Sequence, residues 1–319
     1  MKYRKLGDTG LIVSEIGFGA WGIGGLSAGA TSYGETNDDE SCKALKRAYD
    51  LGVNFYDTSD LYGAGHSEEL IGEALKAVRD KVIIATKVGF LEHRGQQDFK
   101  RDYIRKSLVE SLKRLKTDYV DLYQLHSPDI KVVEENNEIL ETLQDLKKEG
   151  KIRVFGISVR HPDDALVAVK KLNIKSIQAN FNIIDQRIIE NGLFELAKDM
   201  SVGIIARTPL NFGFLSGKLN NTTFGPGDHR SAWPKSQLIK WAEAPRLFSF
   251  LSKGKLTPVQ VALNFCLSFE AVSVVIPGML TEAEVEENVI VSSAEKFTRD
   301  ELMRARKVYN ENDFFERNK

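Results

Sequence analysis

The chain has 319 residues, of which 42% are hydrophobic and 28% are charged, a usual balance for a globular protein. Its 44 Lys and Arg residues against 45 Asp and Glu residues give a net charge of -1, which excludes the basic excess typical of nucleic-acid-binding proteins. No apolar run reaches membrane-spanning length, no signal-peptide core follows the first residues, and the two cysteines have no metal-ligand spacing. These features predict a cytoplasmic protein with no metal site and no membrane or nucleic-acid partner.

Short apolar runs rich in β-branched residues alternate with helical patterns along the chain. Strands are predicted over 16–19, 54–57, 82–87, 119–126, 152–158, 176–180, 202–207 and 272–277. Helices are predicted over 38–51, 67–78, 101–115, 134–148, 162–172, 189–200, 257–268, 281–292 and 298–310. Short apolar strands are typical of a parallel sheet covered on both faces, and eight strand–helix repeats predict an α/β fold, the (β/α)8 TIM barrel. Since no linker interrupts the pattern, we expect a single domain over residues 1–319.

Three local signals add to this prediction. An N-terminal β-hairpin that closes the bottom of the barrel is predicted over residues 3–6 and 11–14, which are joined by Asp8-Thr9-Gly10. Gly52 is predicted to end the first helix, and Thr257 followed by Pro258 to begin the seventh. The Gly-rich polar segment 213–233 is longer than most loops, which predicts a functional role for it.

The spacing of Gly17, Gly19 and Gly22 matches the dinucleotide-binding pattern of a Rossmann fold. That pattern requires a helix directly after the glycines, whereas residues 24–29 contain further glycines that disfavour a helix. We therefore interpret this segment as a glycine-rich loop of the barrel near a cofactor.

Polar residues end several of the predicted strands, where barrels of this type build their active sites. Asp57 ends the second strand, Lys87 the third and His126 the fourth. Each alone has a structural interpretation, as a turn residue, a surface charge or a hydrogen-bonded histidine. Together with Tyr62, in the loop after the second strand, they predict one site at the mouth of the barrel.

These four residue types combine into a proton donor for a carbonyl oxygen. A free tyrosine has a pKa near ~10 and is a poor acid at neutral pH, but a nearby Lys⁺ favours its phenolate. Asp57 would keep Lys87 charged and oriented, and His126 would hydrogen-bond the carbonyl oxygen or Tyr62. Because the set contains no nucleophile for acyl or phosphoryl transfer, we expect it to act with a hydride donor.

The sequence around these residues resembles the aldo-keto reductase superfamily. Its most specific stretch is 54–63 (Asn-Phe-Tyr-Asp-Thr-Ser-Asp-Leu-Tyr-Gly), and 121–126 and 215–218 add to a similarity that spans nearly the whole chain. The family is known as (β/α)8 barrels that reduce aldehydes and ketones with NADPH. The resemblance therefore implies a nicotinamide-dependent reductase of a small-molecule carbonyl, with the catalytic residues Asp57, Tyr62, Lys87 and His126.

The resemblance also implies which residues bind the cofactor. It places Trp21 and Asp57 by the nicotinamide ribose and Ser158 and Gln178 at the carboxamide, although Val159 replaces the usual asparagine. Arg207 lies where the family usually has an aromatic residue beneath the ring, and its planar guanidinium could stack there. The remaining positions implied are Pro209, Leu210, Gly217, Lys218, Arg230, Gly278, Glu284, Glu287 and Asn288.

The choice between NADPH and NADH depends on the adenosine end of this site. Family members that prefer NADPH usually carry basic residues near its 2′-phosphate, where this sequence has Leu280 and Glu284. Glu284 would repel a phosphate or accept a hydrogen bond from a ribose hydroxyl, which makes NADH a serious alternative. Because Lys218 and Arg230 could supply positive charge, the sequence prediction keeps NADPH ahead.

Two other functions stay open from the sequence. Lys87 could form a Schiff base as in barrel aldolases, but that requires a neutral amine, which pairing with Asp57 opposes. Some barrels of this family are cofactor-binding regulatory subunits of ion channels with little turnover, although the presence of all four catalytic positions favours an enzyme. The residues expected to shape the substrate pocket are Trp21, Leu26, Tyr33, Phe90, Ser127 and Trp233. The short polar Ser127 favours polar or sugar-like carbonyls.

Overall fold

The computed structural model describes residues 1–26, 32–92, 95–219, 223–225 and 227–315. An antiparallel hairpin, β1 (Tyr3–Lys5) and β2 (Ile12–Ser14), precedes eight parallel strands. These are β3 (Phe18–Gly19), β4 (Phe55–Asp57), β5 (Ile83–Val88), β6 (Val120–His126), β7 (Ile152–Ser158), β8 (Ser176–Asn180), β9 (Gly203–Arg207) and β10 (Val272–Val275). Each overlaps one of the eight predicted strands.

The eight-stranded sheet closes into a barrel, which confirms the predicted fold class. Neighbouring strands pair in sequence order from β3 to β10. The two ends of the sheet meet through parallel bridges of Ile16 with Val275 and of Gly19 with Gly278. The Gly17 amide donates to the Val275 carbonyl at 2.8 Å, and the Gly19 amide to the Pro277 carbonyl at 2.9 Å. The carboxyl ends of all eight strands therefore surround one mouth.

The hairpin closes the opposite end of the barrel, as predicted. Its apolar residues Leu6, Leu11 and Val13 pack among barrel-interior side chains of β4, β5, β6, β7, β9 and β10. The Arg4 guanidinium donates to three carbonyl oxygens at and before the start of β10. Because these contacts lie at the amino ends of the strands, the hairpin leaves the mouth with the polar strand ends open.

Helices cover the outside of the barrel and bury a second, larger core against the strands. They are α1 (Asp38–Asp50), α2 (His66–Leu75), α3 (Arg101–Arg114), α4 (Ile130–Glu135), α5 (Asn137–Lys148), α6 (Pro162–Lys170), α7 (Arg187–Glu190), α8 (Leu193–Asp199), α9 (Lys235–Leu247), α10 (Pro258–Leu267), α11 (Glu282–Val289) and α12 (Arg299–Glu311). Gly52 follows α1 with a φ of 87°, which confirms it as the residue that ends this helix. Thr257 caps α10 in a reciprocal capping box with Gln260.

The helix predictions differ from the structure in three places. The predicted helix 134–148 is two helices, because Asn136 leaves the helical conformation and caps α5 with its side chain. The predicted helix 189–200 is likewise divided at Gly192, whose φ is 79°. Helix α9 was not predicted; it contains Pro245, a residue that sequence reasoning treats as a helix breaker.

The structure also describes the glycine pattern around Gly22 and part of the long segment 213–233. Residues 22–24 form one turn of 3-10 helix instead of the helix that a Rossmann turn requires, while 27–29 lie outside the described residues. The described part of segment 213–233 contains two short 3-10 helices, Phe214–Ser216 and His229–Ala232. Within the described residues, no helix is both long and apolar enough to cross a membrane, and no cluster of His, Cys, Asp or Glu could hold a metal ion.

Candidate active site

A buried ion pair joins the ends of β4 and β5. Lys87 Nζ lies 2.6 Å from Asp57 Oδ1 and donates a second hydrogen bond of 2.6 Å to the Thr58 carbonyl. The side chains of Lys87 and Asp57 are 0% and 3% exposed, so water does not screen their attraction. Burial by itself lowers the pKa of Lys87, but the Asp57 carboxylate and the Tyr62 phenol together raise it above its ordinary value. The amine is therefore held as an ammonium ion.

Tyr62 receives the third hydrogen bond of this ammonium group. Lys87 Nζ lies 3.1 Å from Tyr62 Oη and 4.7 Å from the centroid of its ring. The loop that carries Tyr62 packs tightly on the loop after β3, since a Cβ at Gly63 would meet the Gly24 carbonyl oxygen at 2.1 Å. Gly63 also has a φ of 60°, so both its conformation and its surroundings require glycine. This packing fixes the phenol above Lys87.

His126 ends β6 on the same side of the mouth. Its ring lies 6.0 Å from the Tyr62 ring and 4.9 Å from the Phe90 ring, centroid to centroid, with both pairs nearly perpendicular. The Nδ1 atom lies 3.2 Å from Ser59 Oγ. Because Nδ1 faces the fully buried Ser59, the ring presents its other edge, with Nε2, toward the cavity that Tyr62 also lines.

One cavity of about 670 Å³ opens at this mouth, a size typical of small-molecule and cofactor sites. Its lining includes most of the predicted site residues: Trp21, Asp57, Tyr62, His126, Gln178, Arg207, Pro209, Leu210, Lys218, Arg230, Gly278, Glu284, Glu287 and Asn288. Lys87, Ser158 and Gly217 do not line it. Lys87 lies behind Asp57 and Tyr62, Ser158 lies behind Gln178 and Arg207, and Gly217 lies between two lining residues.

An amide network extends from Asp57 across the barrel. Gln178 Nε2 donates to Asp57 Oδ2 at 2.7 Å, and Gln124 Nε2 reaches the same oxygen at 3.2 Å. Ser158 Oγ donates to Gln178 Oε1 at 3.4 Å. Both oxygens of the Asp57 carboxylate thus have hydrogen-bond donors, Lys87 on one side and the amides on the other.

Arg207 lies in the cavity wall at the end of β9. It donates to Ser158 Oγ at 3.2 Å and to the Val159 carbonyl at 2.8 Å, while its Nε is buried with no hydrogen-bond partner. Burial lowers the pKa of Arg207 below its ordinary value. The guanidinium is therefore anchored by its two terminal nitrogens beside Ser158 and Gln178.

The basic residues Lys218 and Arg230 of the cavity lining are both paired with carboxylates. Lys218 Nζ lies 2.8 Å from Glu287 Oε2, and Arg230 Nη2 lies 2.6 Å from Asp228 Oδ2. Glu284 Oε2 accepts a 2.7 Å hydrogen bond from the Leu280 amide before α11. The cavity lining therefore carries no net excess of positive charge from Lys218 and Arg230.

The part of the cavity that is expected to bind the substrate is aromatic and polar. Trp21, Tyr33, Phe90 and Ser127 line it, as expected for the pocket. Leu26 and Trp233 do not; Trp233 packs instead on Trp241 of α9 at 4.9 Å. The lining also includes Phe212, directly before the long segment 213–233, and His229, within that segment; both rings contact the Trp21 ring.

Comparison with known proteins decides the family. The model of the Aldo/keto reductase family matches residues 15–310. The chain belongs to this family. It is 33% identical to L-galactose dehydrogenase of Arabidopsis thaliana over 91% of this chain and 87% of that protein. The holo form of aldo-keto reductase AKR11C1 from Bacillus halodurans is similar in structure, with a TM-score of 0.80 and 31% identity over 97% of this chain and 96% of that chain.

The glycerol dehydrogenase AKR11B4 of Gluconobacter oxydans is a further structural relative of this aldo/keto reductase, with a TM-score of 0.82 and 27% identity over 99% of this chain and 97% of that one. Members of the family are oxidoreductases that use nicotinamide cofactors. The aldo/keto reductase assignment confirms the resemblance on which the sequence prediction rested, and it agrees with the barrel and its cavity.

Three residues around the four candidate catalytic side chains of this aldo/keto reductase have no role in the sequence prediction; two contact those side chains directly and the third does so through another residue. Gln124 hydrogen-bonds Asp57, Ser59 hydrogen-bonds His126, and Asp60 hydrogen-bonds Ser59. Gln124 had a detectable signal, because it is a polar residue within an apolar strand, two positions before His126 and hence on the same face. Ser59 and Asp60 lie in a loop, where no periodicity indicates which way a side chain points.

Of these three residues, Asp60 is the one that titrates, and its pKa shift predicts how the free energy of unfolding depends on pH. Burial and the nearby Glu68 carboxylate raise the pKa of Asp60 from 3.8 to about 6. The folded protein therefore holds this proton more tightly than the unfolded chain, and the free energy of unfolding falls as pH rises from about 4 to about 6. We expect Asp60→Asn to remove this loss and to raise the free energy of unfolding by about 2 kcal/mol at pH 8, with little effect at pH 4.

Urea unfolding at both pH values measures this difference. Asp118→Asn, at an exposed aspartate, serves as the matched control and should behave as the wild type at both. Equal destabilisation by Asp60→Asn at pH 4 and pH 8 would show that the carboxylate is a structural hydrogen-bond acceptor. Its ionisation would then not lower the free energy of unfolding.

Proposed function

We propose that this protein reduces an aldehyde or ketone to an alcohol, with Tyr62 as the proton donor. The observation that carries the proposal is the position of Lys87 Nζ, within hydrogen-bond distance of both Asp57 and Tyr62. A cation beside a phenol stabilises the phenolate that remains after proton transfer. His126 lies across the Tyr62 ring at the wall of the same cavity. A carbonyl oxygen between these two side chains would be positioned by His126 and protonated by Tyr62.

The cavity residues fit a nicotinamide cofactor. Gln178 lines the cavity with Ser158 hydrogen-bonded behind it, a pair of the kind that could hold a carboxamide, and the Arg207 guanidinium beside them has a buried Nε without a partner. Trp21 and the Pro209–Leu210 turn would contact the rest of the cofactor, with Gly278 and Asn288 at its phosphate and adenosine end. The bound nicotinamide would supply the hydride, while Asp57 keeps Lys87 charged and oriented.

We propose NADH as the preferred cofactor. The sequence prediction favoured NADPH because Lys218 and Arg230 could offset the charge of Glu284. Both basic groups already neutralise a carboxylate, Glu287 and Asp228 respectively, which leaves Glu284 to face the adenosine ribose. A carboxylate at this place can accept a hydrogen bond from a ribose hydroxyl but repels a phosphate.

Replacing Glu284 by arginine tests this preference. We expect the ratio of kcat/KM with NADPH to kcat/KM with NADH to rise by roughly tenfold or more, because a repulsive charge becomes an attractive one. Glu282→Arg is the matched control, since Glu282 lies in the same helical turn of α11 but outside the cavity. An unchanged ratio in Glu284→Arg would mean that this position does not face the 2′ oxygen.

For the substrate, we propose a polyhydroxylated or otherwise polar carbonyl. Ser127, Arg160 and Asn180 line the cavity beside the aromatic residues, so the pocket offers hydrogen bonds as well as apolar contacts. Two relatives are named for L-galactose and for glycerol, both polyhydroxylated. A screen of sugar aldehydes, keto-sugars and apolar ketones, with turnover measured as cofactor oxidation, tests this substrate class. Faster turnover of the apolar ketones would contradict it.

The same screen separates the enzyme from the two alternatives. A regulatory barrel would bind cofactor tightly and oxidise none with any carbonyl. A Schiff-base enzyme would leave a covalent adduct at Lys87 after borohydride treatment with substrate, and we expect none because Asp57 keeps the amine protonated.

We further propose that residues 1–319 form a single domain, since the hairpin and the barrel share one core. We propose a cytoplasmic location because both cysteines are unpaired thiols.

A further inference from the structure

Three polar side chains behind His126 form a continuous hydrogen-bonded chain that leads away from the cavity. Ser59 Oγ lies 3.2 Å from His126 Nδ1 and 3.1 Å from Asp60 Oδ1. The other oxygen of Asp60, Oδ2, accepts a 2.8 Å hydrogen bond from Ser107 of α3. Asp60 is therefore connected to the candidate catalytic histidine through a single hydroxyl group.

The surroundings of Asp60 leave His126 as its partner for proton exchange. On α2, Glu68 is ion-paired with Arg114 of α3, at 2.7 Å. Tyr103 of α3 and Tyr123 of β6 also face the Asp60 carboxyl, and burial raises the pKa of both phenols, that of Tyr103 to about 12. Both tyrosines stay neutral near pH 7, and the Glu68 carboxylate favours a proton on Asp60.

Ser59 Oγ can transmit the state of Asp60 because it has one hydrogen to donate. Its oxygen also accepts a 3.2 Å hydrogen bond from the Leu61 amide, which fixes the hydroxyl in place. If Ser59 donates to an Asp60 carboxylate, it must accept from His126, whose Nδ1 then carries hydrogen. If a protonated Asp60 donates to Ser59, the hydroxyl donates to Nδ1, and the hydrogen of a neutral ring lies on Nε2.

We propose that Asp60 and Ser59 form a relay that sets which nitrogen of His126 carries hydrogen, and that Asp60 is thereby a positioning residue for carbonyl reduction. With one exchangeable proton on the Asp60–His126 pair, Nε2 carries hydrogen whether the proton resides on the carboxyl or on the ring. Loss of that proton leaves a carboxylate and a neutral ring with hydrogen on Nδ1 alone. The two groups therefore titrate as a unit.

The relay matters for reduction because of the side on which the substrate binds. This step rests on the proposed function, in which His126 positions a carbonyl oxygen from the cavity. An Nε2–H group donates a hydrogen bond to such an oxygen, whereas a bare Nε2 repels it. The protonated pair is thus the form competent for reduction, and kcat/KM is expected to fall roughly tenfold as pH rises through the titration of the pair.

The position of Asp60 is hard to explain by stability alone. A carboxylate whose burial favours its protonated form destabilises the fold at neutral pH. An asparagine could hydrogen-bond both serines without that cost, with the hydroxyl of one accepting instead of donating. Groups that are kept at the expense of stability are found mainly at functional sites.

The direct test is the tautomer of His126, measured by long-range proton–nitrogen NMR of the cofactor-bound, nitrogen-15-labelled protein. His126→Gln assigns the signal among the five histidines. In the wild type we expect Nδ1–H at pH about 8 and Nε2–H at pH about 5. In Ser59→Ala the link is cut, so both tautomers should be populated at pH about 8. The same Nδ1–H signal in Ser59→Ala as in the wild type would overturn the proposal.

The kinetic test compares the wild type with two variants by the pH dependence of kcat/KM for reduction. Asp60→Asn should lack the tenfold fall, because asparagine does not titrate. Ser107→Ala is the matched control: it removes a hydrogen bond that lowers the pKa of Asp60 but leaves the link to His126, so the fall should remain and move to higher pH. An unchanged fall at an unchanged pH in Asp60→Asn would overturn the relay.

Failure of the relay and failure of the proposed function give different results. If no carbonyl is reduced at any pH, the proposed function is wrong, and the NMR measurement still decides whether Asp60 controls His126. If the wild type reduces carbonyls but its tautomer does not change with pH, the proposed function stands and the relay is wrong. Cofactor affinity and thermal unfolding of each variant exclude misfolding as the cause of either result.

Discussion

Tyr62→Phe is expected to lower kcat/KM for carbonyl reduction by roughly 10²–10⁴-fold, the usual contribution of a positioned acid. The substitution removes one oxygen, the atom that lies 3.1 Å from Lys87 Nζ, and leaves the ring packed beside His126. Cofactor affinity should remain within about twofold of the wild type, because the hydroxyl group makes no contact that positions the cofactor. Steady-state kinetics and quenching of Trp21 fluorescence on cofactor binding measure the two quantities.

Tyr33→Phe is the matched control for this variant. Tyr33 is a second tyrosine in the cavity wall, with its ring 5.1 Å from Trp21, but Lys87 does not contact it. We expect a change in KM for the substrate and little change in kcat. Near-normal kcat in Tyr62→Phe, or an equal loss in the two variants, would contradict the assignment of Tyr62 as the proton donor.

Lys87→Met is expected to cause the largest loss of stability, about 3–5 kcal/mol in the free energy of unfolding. The reason is that Asp57 would remain buried as a carboxylate, with the amide hydrogens of Gln178 and Gln124 as its nearest donors. Asp57→Asn should cost a similar amount, since it leaves the ammonium group of Lys87 without its counter-charge. Urea unfolding of both variants at neutral pH measures these losses.

The double variant Asp57→Asn with Lys87→Met separates the two roles of the ion pair. Because neither charge then remains, we expect the double variant to lose less free energy of unfolding than the sum of the two single losses. The difference, the coupling energy, should be about 1–3 kcal/mol. Activity should stay absent, since nothing stabilises the Tyr62 phenolate. Strictly additive losses would mean that the two groups do not interact in the folded protein, in conflict with their 2.6 Å separation.

The strands and most helices of this fold could be predicted from the sequence, because each is encoded by a local pattern. All eight barrel strands follow short apolar runs, and Gly52 and Thr257 mark helix ends by the conformations and side chains those ends require. Asn136 and Gly192 divide two predicted helices, and Pro245 lies inside an unpredicted one. At Asn136 and Gly192 the local preferences are a capping side chain and a positive φ, and they interrupt the apolar periodicity; at Pro245 the packing of the helix on the barrel overrides local preference.

The same division applies to the site and accounts for what the sequence could determine about this protein. The sequence by itself placed Asp57, Lys87 and His126 at strand ends, and in a closed barrel strand ends converge. The partner that each of these side chains faces depends on the tertiary structure. Lys218 and Arg230 are paired with carboxylates, and Asp60 reaches His126 through Ser59. The Lys218–Glu287 and Ser59–His126 contacts join side chains from separate elements, whose relative positions depend on the packing of the whole barrel. The Arg230–Asp228 and Asp60–Ser59 contacts join near neighbours in loops, where no periodicity in the chain indicates which way a side chain points.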